Sequence, residues 1–135
     1  MKKRLISFAL ALTLALGLAV PALAAEGGYS DVPEDHWAAE SVRQATELGL
    51  FEGVGGGRFG LGQPISRAAF VTALVRLFGW EAVSPEGRFE DVPGGKWYAS
   101  AVETALANEA LVSGSRAFRP EEAITREEMA SMIVR

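Results

Sequence analysis

The chain has 135 residues, with 13 Lys+Arg, 17 Asp+Glu, one His and no Cys. That length holds one modest domain or two very small units. Without cysteine there is no disulfide framework, thiolate metal site or thiol nucleophile, and one histidine leaves no His pair for a metal or proton relay.

Lys2, Lys3 and Arg4 head the chain, and Leu5 to Val20 follow without a charge. Pro21-Ala22-Leu23-Ala24 then places small residues at the −3 and −1 positions of a cut after Ala24. This order is that of a secretory signal peptide, assigned to residues 1–24. Its apolar run of 16 residues is shorter than the roughly 20 a spanning helix needs. Removing it leaves 10 Lys+Arg against 17 Asp+Glu, a net charge of −7 over 111 residues. So acidic a surface repels phosphates, which disfavours nucleic acid and anionic lipid as partners, and none is expected. No second long apolar run follows, so no membrane contact is expected after cleavage.

After a short spacer, residues 25–28, the chain repeats itself. Tyr29-Ser30-Asp31-Val32-Pro33 aligns with Phe89-Glu90-Asp91-Val92-Pro93 at an offset of 60. Trp37 then falls on Trp97, and Val42 on Val102. Past the Gly-rich stretch the offset becomes 59, so Phe59 meets Phe118 and Ile65-Ser66-Arg67 meets Ile124-Thr125-Arg126. The two units are residues 29–78 and 89–135, joined by a linker, 79–88.

Each unit reads as helix, loop, helix. Trp37, Ser41, Val42, Ala45 and Leu48 recur at helical spacing and predict one apolar stripe, with Pro33, Glu34 and Asp35 at its start and Gly49 at its end. Trp97, Ala101, Val102, Ala105 and Asn108 follow the same spacing. Six glycines between Gly53 and Gly62 predict tight turns around a buried Phe59. A phosphate cradle is disfavoured there, because no Gly-Lys-Ser/Thr follows. Trp80, in the linker, suits packing between the units.

The second helix of each unit carries the clearest start signal. Ser66 and Thr125 are N-cap residues. Thr125 and Glu128 form a capping box, for which the first unit has Ala69 instead of the glutamate. Ile65 with Phe70, and Ile124 with Met129, occupy hydrophobic-staple positions. Phe70, Ala73, Leu74 and Leu77 are the expected buried face. Arg67 and Arg126 sit at the first helical position, where a cation opposes the helix dipole. Free amides and an arginine fork at one helix mouth can hold an anion, and a planar guanidinium pairs with carboxylate in a way lysine does not. Pairing with a neighbouring acid is the alternative reading.

The two tryptophans suit either core packing or stacking on a sugar. Asp31 and Asp91 suit either capping a turn or bonding sugar hydroxyls. His36, replaced by Lys96 in the second unit, reads as surface. Glu127 and Glu128 lie about 100° apart on a helix and cannot face one another as a glycosidase pair must. With no Ser-His-Asp order either, catalysis is not expected, nor is a metal or cofactor.

An aromatic-x-Asp-Val-Pro opening, a following Trp, Gly-x-Phe and then Ile-Thr-Arg-Glu-Glu resembles the S-layer homology (SLH) domain family. The resemblance covers residues 29–78 and 89–135. It implies a mainly α fold of tandem helix–loop–helix repeats, here an incomplete pseudo-threefold helical bundle, since the usual arrangement has three repeats. It implies a secreted protein at the cell wall or S-layer surface, anchored non-covalently through secondary cell-wall polysaccharide, often bearing ketal-linked pyruvate, or through a peptidoglycan-linked glycan. By resemblance Arg67 and Arg126 contact the acidic sugar, while Asp31, Asp91, Trp37 and Trp97 line the groove, with Ser66, Thr125 and Glu128 completing the helix-mouth motif.

The second unit stops at Arg135, before any counterpart of Leu77-Phe78. Two expectations follow: a truncated product of a longer gene, or self-association with other chains, a third repeat being supplied in trans. Repeat arrays need about three units for stability, so marginal stability or association is expected. The alternative function is a helical protein–protein or structural module of the envelope without sugar binding.

Overall fold

The computed structural model describes residues 28–112 and 114–135, so the assigned signal peptide and most of the spacer lie outside the described residues. The chain is mainly helical, as the repeat pattern requires: α1 (Ala39–Glu47), α2 (Arg67–Phe78), α3 (Ala99–Ala107) and α4 (Arg126–Ile133). Among the described residues there are isolated bridges, Gly55 with Arg58 and Ser66 with Ala123, and no strand. No helix among them is long and apolar enough to cross a membrane.

The first helix of each unit starts later than its sequence signals suggest. Pro33 to His36 form a separate turn closed by His36 N–H to Pro33 C=O at 3.0 Å, and α1 begins only at Ala39, without a side-chain cap. Trp37 and Trp97 therefore precede their helices and point outward, 86% and 65% exposed. The core alternative for both tryptophans is corrected on that ground. Gly49 ends α1 as expected, at φ 67°, with Leu50 N–H returning to Ala45 C=O. Its counterpart Glu109 holds the same left-handed conformation, at φ 61°.

Ser66 caps α2, its hydroxyl accepting from Ala69 N–H at 3.2 Å. The α4 cap is a complete capping box: Thr125 Oγ accepts from Glu128 N–H, and Glu128 accepts from Thr125 N–H. Gly79, at φ 62°, ends α2. The last turn of α2 is tied back to the end of α1, with Arg76 reaching Gly49 C=O at 3.2 Å and Glu52 at 2.9 Å.

The two units are not equivalent in packing. One core joins Ala68, Val71 and Leu74 of α2 to Val102, Ala105 and Leu106 of α3, with Phe89, Tyr98 and Phe118. Its principal helix contact is α2 against α3, across the unit boundary. A second, small cluster of Val32, Ala38 and Val42 lies under α1, where Val42 is the only buried helical residue. The predicted stripe on α1 is therefore mostly uncovered, with Leu48 exposed. Phe59 is half-buried against Tyr29 and Phe51, whereas Phe118 is fully buried. On α2 the buried face is Ala68, Val71, Ala73 and Leu74, and Leu77 is exposed.

The linker lies along α3. Val83 N–H donates to Thr104 Oγ1 at 2.9 Å, Ser100 Oγ donates to Val83 C=O at 2.8 Å, and Arg88 N–H donates to the buried Glu103 at 3.1 Å. Trp80 stacks on Phe78 and packs on the larger core.

Candidate functional site

The opening aspartates hold the loops. Asp31 accepts from the N–H groups of Phe59, Gly60 and Leu61 at 2.7, 2.7 and 3.0 Å. Partial burial raises its carboxyl pKa, but these amides outweigh that effect and leave it below the ordinary value. Asp91 repeats the arrangement with Phe118 and Arg119 N–H at 2.8 and 2.7 Å. The turn that follows each aspartate is thereby fixed to the aromatic loop of its own unit.

Arg67 joins the two units. Its side chain is 11% exposed. The backbone beside it donates from Arg67 N–H to Glu122 C=O and from Ala68 N–H to Pro120 C=O, at 2.9 and 3.0 Å. Its Nε–H donates to Phe118 C=O at 2.7 Å, and its guanidinium lies 4.9 Å from the centre of the Phe118 ring. One terminal nitrogen pairs with Glu128. The Thr125 N–H, and then the charge of Arg67, hold the Glu128 carboxyl below its ordinary range against the opposing effect of partial burial.

Two clefts flank this junction. The first, of about 340 Å³, is lined by Arg67, Phe118, Glu127, Glu128, Ser131 and Arg135, among others. The second, of about 480 Å³, is lined by Asp91, Lys96, Tyr98, Arg119, Glu121 and Glu122, with Pro120. Arg119 stands between them: it pairs with Glu122 at 3.1 Å and with Glu128 at 3.5 Å.

The structure thus brings Arg67, Ser66, Thr125 and Glu128 together at the junction and places Asp91 at the second cleft. Arg126 is exposed, lines neither cleft and makes no ion pair among the described residues. Asp31, Trp37 and Trp97 also line neither cleft. Lys96, Tyr98, Arg119 and Glu122 were not singled out by motif. Their signal was the set of mismatches between the units: at the offset of 59, Gly60 stands against Arg119, Gln63 against Glu122 and Ala69 against Glu128. No cluster of His, Asp or Glu among the described residues is placed to hold a metal ion.

The S-layer homology domain profile matches residues 28–71 and 88–130. The chain belongs to that family. It is 34% identical over 139 aligned residues to a surface layer protein of Brevibacillus choshinensis, covering 98% of the chain and 12% of the relative. A middle cell wall protein of Brevibacillus brevis is also 34% identical, over 98% of the chain and 13% of its own length. An exoglucanase, XynX, of Acetivibrio thermocellus is 29% identical over 79% of the chain and 10% of its own length. The chain thus spans about a tenth of the length of these relatives. Family and relatives place it at the bacterial cell-wall or S-layer surface.

Proposed function

We propose that the chain is a non-catalytic anchor that holds an exported protein to the bacterial cell wall by binding acidic secondary cell-wall polysaccharide, with pyruvate ketal as the recognised group. The observation that carries this reading is the SLH match over both units, shared with surface-layer and cell-wall proteins. Its presence over only a tenth of an exoglucanase supports an attachment role rather than the catalytic one. A short-range mechanism is needed, because a chain of net charge −7 after removal of residues 1–24 and an anionic polymer repel one another. The Debye length of about 8 Å at physiological salt confines that repulsion, so cations inside clefts act locally. Cosedimentation with purified native wall, and with wall stripped of its polysaccharide, tests the reading. Retention on the native wall alone is expected, and equal retention on both would overturn it.

A second reading is a protein–protein module that completes its bundle with a further repeat or another chain. The exposed Trp37, Leu48, Leu77 and Val134 favour it, since large apolar side chains left in water mark contact surfaces.

A further inference from the structure

We propose that Arg119, with Lys96, forms the carboxylate-binding site of the second unit, taking the acidic group of the wall glycan in the cleft above Asp91. This deepens the reading above and rests on it.

Arg67 is not free to take a ligand. Its Nε is committed to Phe118 C=O and a terminal nitrogen to Glu128, in a side chain almost closed to solvent. Releasing it for a ligand would leave the Glu128 carboxylate and a carbonyl without their partner at the junction of the units. Arg119 is differently placed. Its side chain is 53% exposed, and its two ion pairs are single-point contacts at 3.1 and 3.5 Å. Exposed pairs of that kind contribute little, so an incoming carboxylate exchanges for them at small cost. A guanidinium with five donors can then accept it in bidentate fashion.

The backbone supplies an independent observation. Arg119 has φ 59°, a left-handed conformation that costs a non-glycine residue about 1–3 kcal/mol. The first unit places Gly60 there, at φ 92°. Asp91 fixes the strained residue through its N–H at 2.7 Å. Among the described residues Glu109 is the other non-glycine residue at positive φ, but it sits at the end of α3, where helix termination accounts for it. Arg119 ends no helix, and its side chain lines the second cleft.

The remaining lining fits an acidic sugar. Lys96 lies in the same cleft and makes no ion pair among the described residues. Tyr98 is buried, and its phenol faces Glu121. Of the acids of the cleft, Asp91 is held by two amides, and Glu122 pairs with Arg119 until an incoming carboxylate takes its place. At the corresponding positions the first unit has His36, Ala38 and Gly60, and so lacks the pair of cations. One acidic group per chain is therefore expected, in the second unit.

The test is calorimetric titration of the full chain with a pyruvate-ketal glycoside, and with the same glycoside lacking the ketal. Arg119→Gly and Lys96→Gln should each weaken ketal binding about ten-fold or more, and Arg116→Gln, on the same loop but outside the cleft, should not. Arg119→Gly should also melt at a higher temperature than the parent, because glycine relieves the strain; a merely structural arginine would lower it. Binding by Arg119→Gly equal to the parent's, with wall retention intact, overturns this assignment and leaves the anchor reading standing. Wall retention by the parent without any ketal-glycoside binding also overturns it. A parent that is neither retained on wall nor binds the glycoside removes both.

Discussion

The guanidinium of Arg67, in the first repeat, donates to the main-chain oxygen of Phe118, in the second, at 2.7 Å while lying 4.9 Å from the centre of that residue's ring. One side chain therefore closes the boundary between repeats by a charged hydrogen bond, a cation–π contact and an ion pair with Glu128. Arg67→Ala should lower unfolding stability by about 3 kcal/mol, since it leaves a partly buried carboxylate unpaired. Arg67→Lys should recover little of this, because an ammonium cannot serve both partners in one plane. Urea denaturation measures both, and a loss for Arg67→Ala within about 0.5 kcal/mol of the parent, as is usual for surface positions, would refute this role for Arg67.

Acid should loosen the same junction. The Glu128 carboxyl lies below its ordinary value of 4.5 in the folded chain. A depressed carboxyl adds stability above its unfolded pKa, and loses it as pH falls through the lower folded value. Melting temperature should therefore drop below about pH 4.5. Glu128→Gln should flatten that part of the curve while lowering stability at neutral pH.

Glu109 holds a left-handed backbone at a helix end where the first repeat has Gly49. Glu109→Gly should stabilise the fold by about 1 kcal/mol. Thermal denaturation of the single variant checks it, and a fall in melting temperature would mean that the glutamate side chain compensates for its backbone.

The paired aromatic positions separate surface from core. Trp37→Ala should change stability by no more than about 0.5 kcal/mol, while Phe118→Ala should cost about 3–5 kcal/mol. Similar losses at both positions, read by chemical denaturation, would contradict the outward placement of Trp37.

Much of this architecture was legible in the residues. Ser66, Thr125 and Glu128 announce their caps because capping is local chemistry, and Gly49 marks a helix end for the same reason. The packing was not legible. Val42 and Val102 occupy equivalent positions, yet α1 stays mostly open to water while α3 is buried against α2, because burial depends on which neighbour a repeat meets. Trp37 and Trp97 fit the helical period but lie outside the helix, since the Pro33 and Pro93 turns come first. At the site, Arg67 was visible through its motif, whereas Arg119 has no motif. Only its substitution for a glycine in the other repeat sets it apart, and that carries meaning once its φ is known.

On the proposed reading acidic wall glycan, rather than wall protein or peptidoglycan alone, holds the chain. The direct measurement is a binding isotherm on three preparations: native wall, wall whose pyruvate ketals have been removed, and wall stripped of polysaccharide. Saturable binding to the first and its loss on both others is the predicted result. Equal binding to all three would contradict it.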